Sequence, residues 1–158
     1  MDNSKDIQLS KTRIQIALLE SKCTLFGFTD YGSSNKIKIN EDGYDFEFTL
    51  RFSANEQEKK ATVGLNTKLF EKAKDSLRNQ LAFLKSEFVF RVENFNELVI
   101  REGDKTEIKQ ALIHFCFTIA LSTVRGMYNV KLENSLYSNA VLPIVQLSDL
   151  SITKESIE

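Results

Sequence analysis

Residues 44–53 read YDFEFTLRFS, and this stretch decides the fold. Phe46, Phe48, Leu50 and Phe52 alternate with polar or charged residues. Because successive side chains on a β-strand point to opposite faces, this alternation places all four apolar side chains on one face. The stretch therefore predicts a strand that is buried on one side and solvated on the other.

Further strands are predicted on both sides of this stretch. After the polar turn Asn55–Glu58, residues 60–70 alternate again, as the returning arm of an antiparallel hairpin would. Residues 12–28 suit a long strand, with a bulge near Leu19 where the apolar phase slips. Residues 83–95 return to a period of two and predict another strand.

The second half of the chain predicts one long helix. Asp104 followed by Glu107 resembles a capping box, so we expect the helix to begin near Lys105. Gly126 suits a helix C-terminus, and Arg125 would lie in the last turn, near the negative end of the helix dipole.

The middle of this helix, residues 111–121, reads as apolar on nearly every side. A helix that lies on one sheet needs an apolar stripe only about 100° wide, so this helix has more apolar surface than its own sheet can cover. Two coverings are open: the C-terminal segment of the chain or a second protomer. Self-association is the favoured expectation, because isologous dimers are the commonest oligomers.

Composition limits the class of protein. The chain has 158 residues, no visible repeat and little linker composition, so we expect one domain over 1–158 with an ordered core over about 12–152. The formal net charge of -1 gives no field to attract nucleic acid. The N-terminus lacks the apolar region of a signal peptide, and residues 111–121 are too short to span a bilayer, so no membrane insertion is expected.

The sequence offers little catalytic chemistry. His114 is the only histidine, which excludes His-Cys metal clusters that need more than one and any triad that needs a histidine base elsewhere in the chain. His114 itself lies between Ile113 and Phe115 on the predicted helix, where a core or interface histidine is the favoured interpretation. Glycine-rich phosphate loops and metal-binding motifs are absent, so neither a cofactor nor an enzymatic activity is predicted. Cys23 and Cys116 lie in apolar stretches and suit reduced, buried thiols, which favours a cytoplasmic location.

The order of these elements resembles a known family. Strands with acidic and aromatic residues in alternation precede an apolar helix ending Val-Arg-Gly-Met-Tyr at 124–128, and Val-Leu-Pro-Ile-Val-Gln-Leu follows at 141–147. This ensemble is similar to the bacterial protein-export chaperone SecB and its divergent SecB-like relatives. The resemblance runs from about Ile14 to Leu150.

The resemblance implies an α+β fold: a four-stranded antiparallel sheet, a long helix in the C-terminal half and a short final helix. It also implies a homotetramer, built as a dimer of dimers with the long helices packed at the centre. Members of the family hold unfolded polypeptides and preproteins in long apolar grooves, without ATP. We therefore expect a chaperone of the holdase type, with protein export as one destination of its clients.

Two departures bear on partners. In SecB, acidic side chains on the exposed sheet face help to engage the SecA motor, whereas here Arg91 and Lys22 stand in the corresponding stretches. SecA is therefore a doubtful partner. The C-terminal residues 151–158 also differ from the basic export tail of the family, which favours a dedicated or toxin-antitoxin-associated holdase.

The aromatic and aliphatic residues beside the helix supply the candidate sites. We expect a polypeptide-binding groove and an oligomer interface, each formed by apolar side chains. The groove candidates are Phe26, Phe28, Phe88, Phe90, Leu142 and Ile144, and the interface candidates are Ile113, Phe117 and Leu121. For each of these residues, plain core packing is the alternative.

Two other functions stay open at this point. A curved sheet and a helix could enclose a closed pocket for a small apolar ligand. Alternatively, the apolar surface could serve only as protein interface, in a structural or adaptor oligomer.

Overall fold

A computed structural model describes residues 13–29, 43–72, 79–103, 105–145 and 151–154, the last of these by their backbone alone. The regular elements follow in chain order: β1 (Ile16–Phe28), β2 (Tyr44–Asn55), β3 (Lys60–Glu71), β4 (Gln80–Val92), α1 (Phe95–Leu98), β5 (Val99–Glu102), β6 (Lys105–Ile108), α2 (Gln110–Leu132) and β7 (Ser151–Lys154).

The main sheet has the strand order β1-β4-β3-β2-β7. Its first four strands pair antiparallel, and β7 pairs parallel with β2 at one edge. The hairpin of β2 and β3 runs without a register shift from the pair Tyr44 and Glu71 to the pair Asn55 and Lys60. The alternation that predicted these two strands thus sets their register, since a slip of one residue would turn their apolar face to solvent.

β1 is irregular at two points. Its pairing with β4 shifts between Leu18 and Glu20, and again between Cys23 and Leu25. The first shift confirms the bulge predicted near Leu19, and the second was not predicted. Each inserted residue bends the edge strand and locally increases its twist.

The apolar face of the sheet is covered by α2, which packs against β3 and β4. Leu50, Leu65 and Phe88 on this face are fully buried. Tyr137 and Leu142, which follow α2, belong to the same buried core. Of the two coverings expected for the helix, the C-terminal segment is therefore observed within the chain itself.

The outward side of α2 is less apolar than residues 111–121 suggested. Gln110, His114, Thr118 and Ser122 recur at intervals of four and are all exposed, so they form a polar row along the helix. Phe115, 47% exposed, and Val130, 71% exposed, are large apolar side chains of α2 that face solvent. The few polar residues of the run thus share one face, so the outward side of α2 is only partly apolar, and self-association stays a prediction.

The predicted bounds of the long helix were wrong at both ends. Lys105–Ile108 is the strand β6, which pairs antiparallel with Val99–Glu102, and Gly103 has the positive φ of 61° that a tight turn needs. The helix begins only at Gln110, and the backbone N–H of Lys109 donates to the carbonyl of Leu98. It continues through Gly126 to Leu132, since a helix tolerates an interior glycine at a cost of about 1 kcal/mol.

The C-terminal region also differs from the expectation. Ser151–Lys154 is the strand β7, and the structure describes no helix after α2 in residues 133–145 and 151–154. An extended segment beside a sheet edge gains ladder hydrogen bonds that a single helical turn would not supply. The rest of the expected fold is confirmed: an α+β chain with a four-stranded antiparallel sheet and a long helix. The extent of the domain and of its ordered core stays a prediction.

Candidate functional site

Two rows of side chains cross the sheet beneath the C-terminal half of α2. Each row follows the strand pairing from β1 through β4 and β3 to β2, and each begins and ends with a phenylalanine. The first row is Phe26, Leu84, Thr67 and Phe48, and the second is Phe28, Ala82, Leu69 and Phe46. We call Phe26 and Phe28 the β1 pair, and Phe46 and Phe48 the β2 pair.

Burial differs sharply along these rows. The four middle residues are at most 1% exposed, whereas Phe28 at one end is 47% exposed and the other three phenylalanines are half-buried. The helix lies over the middle of the rows, so its two flanks leave both pairs accessible. The rings of the β1 pair are 6.0 Å apart at 48°, and those of the β2 pair are 6.2 Å apart at 23°.

The last turns of α2 contact both pairs. Tyr128 meets the ring of Phe46 edge-on, with the ring centroids 6.1 Å apart. Lys131 on the same helix places its Nζ 5.8 Å from the centroid of the Phe26 ring, which is within reach of a cation–π interaction. The last turns of α2 thus stand between the two pairs, and we call the partly exposed surface beside each pair the β1 channel and the β2 channel.

Polar contacts anchor the channel beside the β1 pair. The hydroxyl of Tyr137, after α2, donates to the backbone carbonyl of Thr29 at 2.7 Å. Thr29 in turn donates its backbone N–H to the carbonyl of Leu81 and its hydroxyl to the carbonyl of Gln80. These bonds tie the end of β1 to β4 and to the segment that follows the helix.

Two buried hydroxyls near the β2 pair contrast with these anchored groups. The hydroxyls of Tyr128 and Thr67 are both buried, and neither has a hydrogen-bond partner in the described part of the chain. Burial also raises the pKa of the Tyr128 phenol, because the charged phenolate would lose its hydration. A buried polar group without a partner costs about 1–3 kcal/mol, so this side of the core is the less satisfied one.

A separate groove runs along the polar row of α2. It has a volume of about 570 Å³, and Ile144 and Val145 form its opposite wall. The Nη2 of Arg125 donates to the carbonyl of Pro143 at 2.7 Å, which holds this wall against the helix. The groove is therefore built by the Leu-Pro-Ile segment and the outward face of α2.

Only part of the predicted polypeptide groove is accessible. Phe26 and Phe28 lie side by side and are partly exposed, so their role in a groove stays a prediction, whereas Ile144, 88% exposed, lines the separate groove. Phe88 and Phe90 are fully buried, so their assignment to a surface groove was wrong. Both lie on β4, which has a strand on each side, and both face the helix side of the sheet.

The remaining predicted positions are also covered. Leu142 is 4% exposed, and the interface candidates Ile113, Phe117 and Leu121 are 3%, 2% and 5% exposed in the single chain. They face the sheet or the floor of the α2 groove, and the sequence could not show which side of the helix meets the sheet. Phe117 and Leu121 nevertheless line the α2 groove, and the role of all three residues in an oligomer interface stays a prediction.

Sequence reasoning missed the β2 pair. Phe46 and Phe48 belong to the alternation that predicts β2, but the same alternation includes the fully buried Leu50 and Phe52. The pattern gives the face of a strand and not the position of the helix above it. Spacing alone could not have marked this channel, because Phe88 and Phe90 form the same i, i+2 pair near a strand end and are fully buried.

The described residues offer little for catalysis or metal binding. No group of three or more His, Cys, Asp or Glu side chains within them could hold a metal ion. His114 is exposed on the polar row of α2. Cys23 and Cys116 are free, and burial raises the pKa of the Cys116 thiol to about 12, which makes it a poor nucleophile.

The face of the sheet opposite α2 carries ion pairs between basic and acidic side chains. The Nζ of Lys22 lies 2.9 Å from Oε1 of Glu87, and the Nε of Arg91 lies 2.8 Å from Oε1 of Glu93. The pKa of Lys22 is raised, chiefly by its hydrogen bond to Glu87. Acidic side chains are thus present on this face, but these two are engaged by bases of the same chain.

Gln110–Leu132 is also long and apolar enough to cross a bilayer, judged by length and composition alone. The buried core helix of a water-soluble protein passes the same test. Because one side of α2 packs on the sheet and the other carries a polar row, its surroundings in this fold are those of a core helix.

Comparison with known proteins gives no match by sequence: neither a protein-family model nor a curated protein matches this chain. Among solved structures, it is similar to the Mycobacterium tuberculosis SecB-like chaperone Rv1957, solved in complex with a ChAD peptide from the Rv1956 HigA1 antitoxin. That likeness has 15% identity and a TM-score of 0.45, over 84% of this chain and 90% of the other. A protein of unknown function from Streptococcus agalactiae is similar at 13% identity and a TM-score of 0.42, over 85% of this chain and 98% of that one.

Proposed function

We propose that this protein is a molecular chaperone of the holdase type, which binds unfolded or precursor polypeptides and performs no chemistry on them. One observation carries the proposal: α2 lies between two accessible phenylalanine pairs at the ends of the same rows of the sheet. The clients would lie extended along these channels. A cytoplasmic location is part of the proposal.

The spacing of each pair suits an extended client. Alternate side chains on a strand are about 6.8 Å apart, so apolar residues at every second client position would meet both rings of a pair in turn. Burial of apolar area contributes roughly 25 cal/mol per Å², so each 100 Å² covered by a client adds roughly 2.5 kcal/mol of gross affinity. Such binding selects for apolar, unfolded segments and not for one sequence.

A light-scattering assay tests this proposal. We expect the wild-type protein to suppress the aggregation of a chemically unfolded client at about one chaperone oligomer per client, because the channels bind clients directly and no cycle of turnover is needed. Phe28→Ser should weaken the suppression. Phe83→Ser is the matched control, since Phe83 is also half-buried but lies on the opposite face of the sheet, over Gly27.

Three results would decide between functions. Equal loss in both variants would show that stability, and not the channel, was measured. No suppression by the wild type, together with a tightly bound lipid or metabolite in native mass spectrometry, would support the small-ligand carrier. No suppression and no bound ligand would leave a structural or adaptor oligomer, including one that serves a toxin-antitoxin pair.

Self-association belongs to the same proposal, with a homotetramer built as a dimer of dimers as its expected form. The exposed Phe115 and Ile144 beside the polar row of α2 are apolar surface that a second copy could cover. Sedimentation velocity should show an oligomer at micromolar concentration, and Phe115→Asp should shift it to smaller species. A wild-type monomer at that concentration would contradict this part.

Export as the destination of the clients is a separate step of the proposal. A conventional handover to SecA is disfavoured, because Glu87 and Glu93 on the face of the sheet opposite α2 are paired with Lys22 and Arg91. We expect no binding of SecA to the protein in a pull-down at physiological salt. Binding that disappears on Glu87→Gln would overturn this expectation.

A further inference from the structure

The two edges of the main sheet differ in how open they are to another strand. β1 forms one edge and is interrupted by two bulges. It also carries Glu20 and Lys22, which are exposed and form an ion pair. Bulges and charged side chains are the features by which proteins protect an edge strand from further pairing.

The β2 edge has no register shift in its pairing with β3, although it also carries charged side chains, at Asp45, Glu47 and Arg51. Its pairing with β3 is regular over all twelve residues from Tyr44 to Asn55. A regular edge presents a row of backbone N–H and C=O groups in the spacing that another extended chain needs. By its geometry, β2 is the edge that can accept a strand.

A segment of the chain itself already occupies part of this edge. β7, Ser151–Lys154, pairs with Thr49–Phe52, so among the described residues the ladder with β7 covers four of the twelve residues of β2. Within the described chain it is the shortest strand of the main sheet and the one joined in parallel. Parallel pairs are slightly less stable per residue, and four residues form few hydrogen bonds, so β7 is the strand that leaves most easily.

The edge lies next to the β2 pair. Phe46 and Phe48 are on the same strand, immediately before the residues that β7 covers, and they face the helix. A strand added along this edge would therefore make two kinds of contact at once. Its main chain would pair with β2, and every second side chain would lie beside a phenylalanine of the pair.

We propose that β7 is an intramolecular placeholder on the β2 edge, and that an extended segment of a client polypeptide replaces it. The client pairs its backbone with Thr49–Phe52 and lays apolar side chains along Phe46 and Phe48. This inference rests on the proposed holdase function and adds to it the mode of recognition. It also makes the C-terminal segment a competitor that lowers the affinity for clients until it is displaced.

A reversible cross-link tests the displacement. Thr49 and Ser151 are directly paired, and neighbouring strands lie about 4.8 Å apart, within the Cα separation that a disulfide spans. The double variant Thr49→Cys and Ser151→Cys, made in a Cys23→Ser background, would lock β7 in place when oxidised. The probe is a fluorescently labelled, permanently unfolded carboxymethylated α-lactalbumin, and the readout is its anisotropy.

We expect the oxidised lock to weaken binding of the probe by about tenfold or more, because the edge can no longer accept a second strand, and reduction to restore it. The matched control is Thr49→Cys with Asn66→Cys, which joins β2 to β3 and leaves β7 free. Its affinity should be the same oxidised and reduced. Equal binding by the locked and reduced forms of the first variant would overturn the inference and leave the holdase function standing.

A second variant tests the same inference without a cross-link, in case the disulfide does not form. Ile152→Pro with Thr153→Pro removes consecutive backbone donors from β7, so at least one ladder hydrogen bond is lost. Binding of the probe should become tighter, because the competitor is weakened. Unchanged affinity would overturn the inference, whereas absence of binding by the wild type and by both variants would instead contradict the proposed function.

Discussion

The β1 pair and the β2 pair begin and end the same two rows of the sheet, yet their surroundings differ. Beside Phe28, the hydroxyl of Tyr137 donates to the carbonyl of Thr29 and closes the end of the strand. Beside Phe46, the hydroxyl of Tyr128 is buried without a partner in the described chain. Two channels of similar composition can thus differ in how firmly they are held, because polar anchoring is independent of aromatic content.

The largest expected effect is the difference in stability lost by a substitution in the middle of the sheet and by one at its flank. Phe88→Ala should lower the free energy of unfolding by about 3–5 kcal/mol, because this side chain is fully buried and its removal leaves a cavity. Phe28→Ala should cost only about 1 kcal/mol, since the ring is already half-exposed. Urea unfolding followed by circular dichroism, at one protein concentration, measures both. Equal losses would contradict the difference in burial.

Alkaline pH should lower the free energy of unfolding, because the Cys116 thiol is buried in the core. Burial raises the pKa of the Cys116 thiol from 9.0 to about 12, so the folded state favours the neutral thiol. The preference of the folded state for the neutral thiol stabilises the fold fully below pH 9. This contribution is lost as the pH rises toward 12, and about 1 kcal/mol of it is lost by pH 10. Urea unfolding at pH 8, 9 and 10 measures this decline.

Cys116→Ala should flatten this decline, whereas Cys23→Ala should retain it because the buried thiol is still present. The same slope in both variants would show that other groups dominate the alkaline loss.

A pair of matched substitutions tests the anchoring directly. Tyr128→Phe removes an unpaired buried hydroxyl and should stabilise the fold by about 1 kcal/mol, because no hydrogen bond is lost. Tyr137→Phe makes the same chemical change but removes the bond to Thr29, so it should destabilise by about 1 kcal/mol. Thermal unfolding of both variants shows whether each substitution stabilises or destabilises the fold. Two losses of similar size would mean that the channels are equally anchored.

The smallest expected effect concerns the glycine between the two residues of the β1 pair. A Cβ on Gly27 would lie 2.7 Å from Cε1 of Phe83, so the ring on the opposite face must turn away. Gly27→Ala should therefore cost about 1 kcal/mol or less, while leaving client binding unchanged. Gly126→Ala is the control: it has no atom nearby and should stabilise α2 by up to about 1 kcal/mol. Loss of client binding in Gly27→Ala would show that Phe83 supports the channel.

Local patterns predicted the strands well. Alternation over 44–53 and 60–70 found β2 and β3 to within two residues, because side-chain direction on a strand depends only on neighbouring positions. The predicted strand over 83–95 is shifted by three residues toward the C-terminus relative to β4, Gln80–Val92. The predicted start of the helix was wrong because it depends on contacts with another segment. Lys105–Ile108 pairs with Val99–Glu102, and a local capping pattern cannot show such a pairing.

The candidate site was harder to predict than the fold. Phe26, Phe28, Phe88 and Phe90 look equivalent in the sequence, yet the first two are accessible and the last two are buried. The difference depends on which strands lie in the middle of the sheet and on the line along which α2 crosses them. Both are tertiary arrangements, so the composition of a strand indicates its apolar face and not its exposure.

The two bulges of β1 cancel each other. Ile16 and Leu18 face the helix as even-numbered positions, Ser21 and Cys23 do so after the first insertion, and Phe26 and Phe28 do so again after the second. One insertion alone would invert the parity of everything that follows it, so deleting Leu19 would force either a slipped ladder or both phenylalanines onto the solvent-facing side. The aromatic channel at the far end of this strand therefore depends on the count of residues several positions upstream.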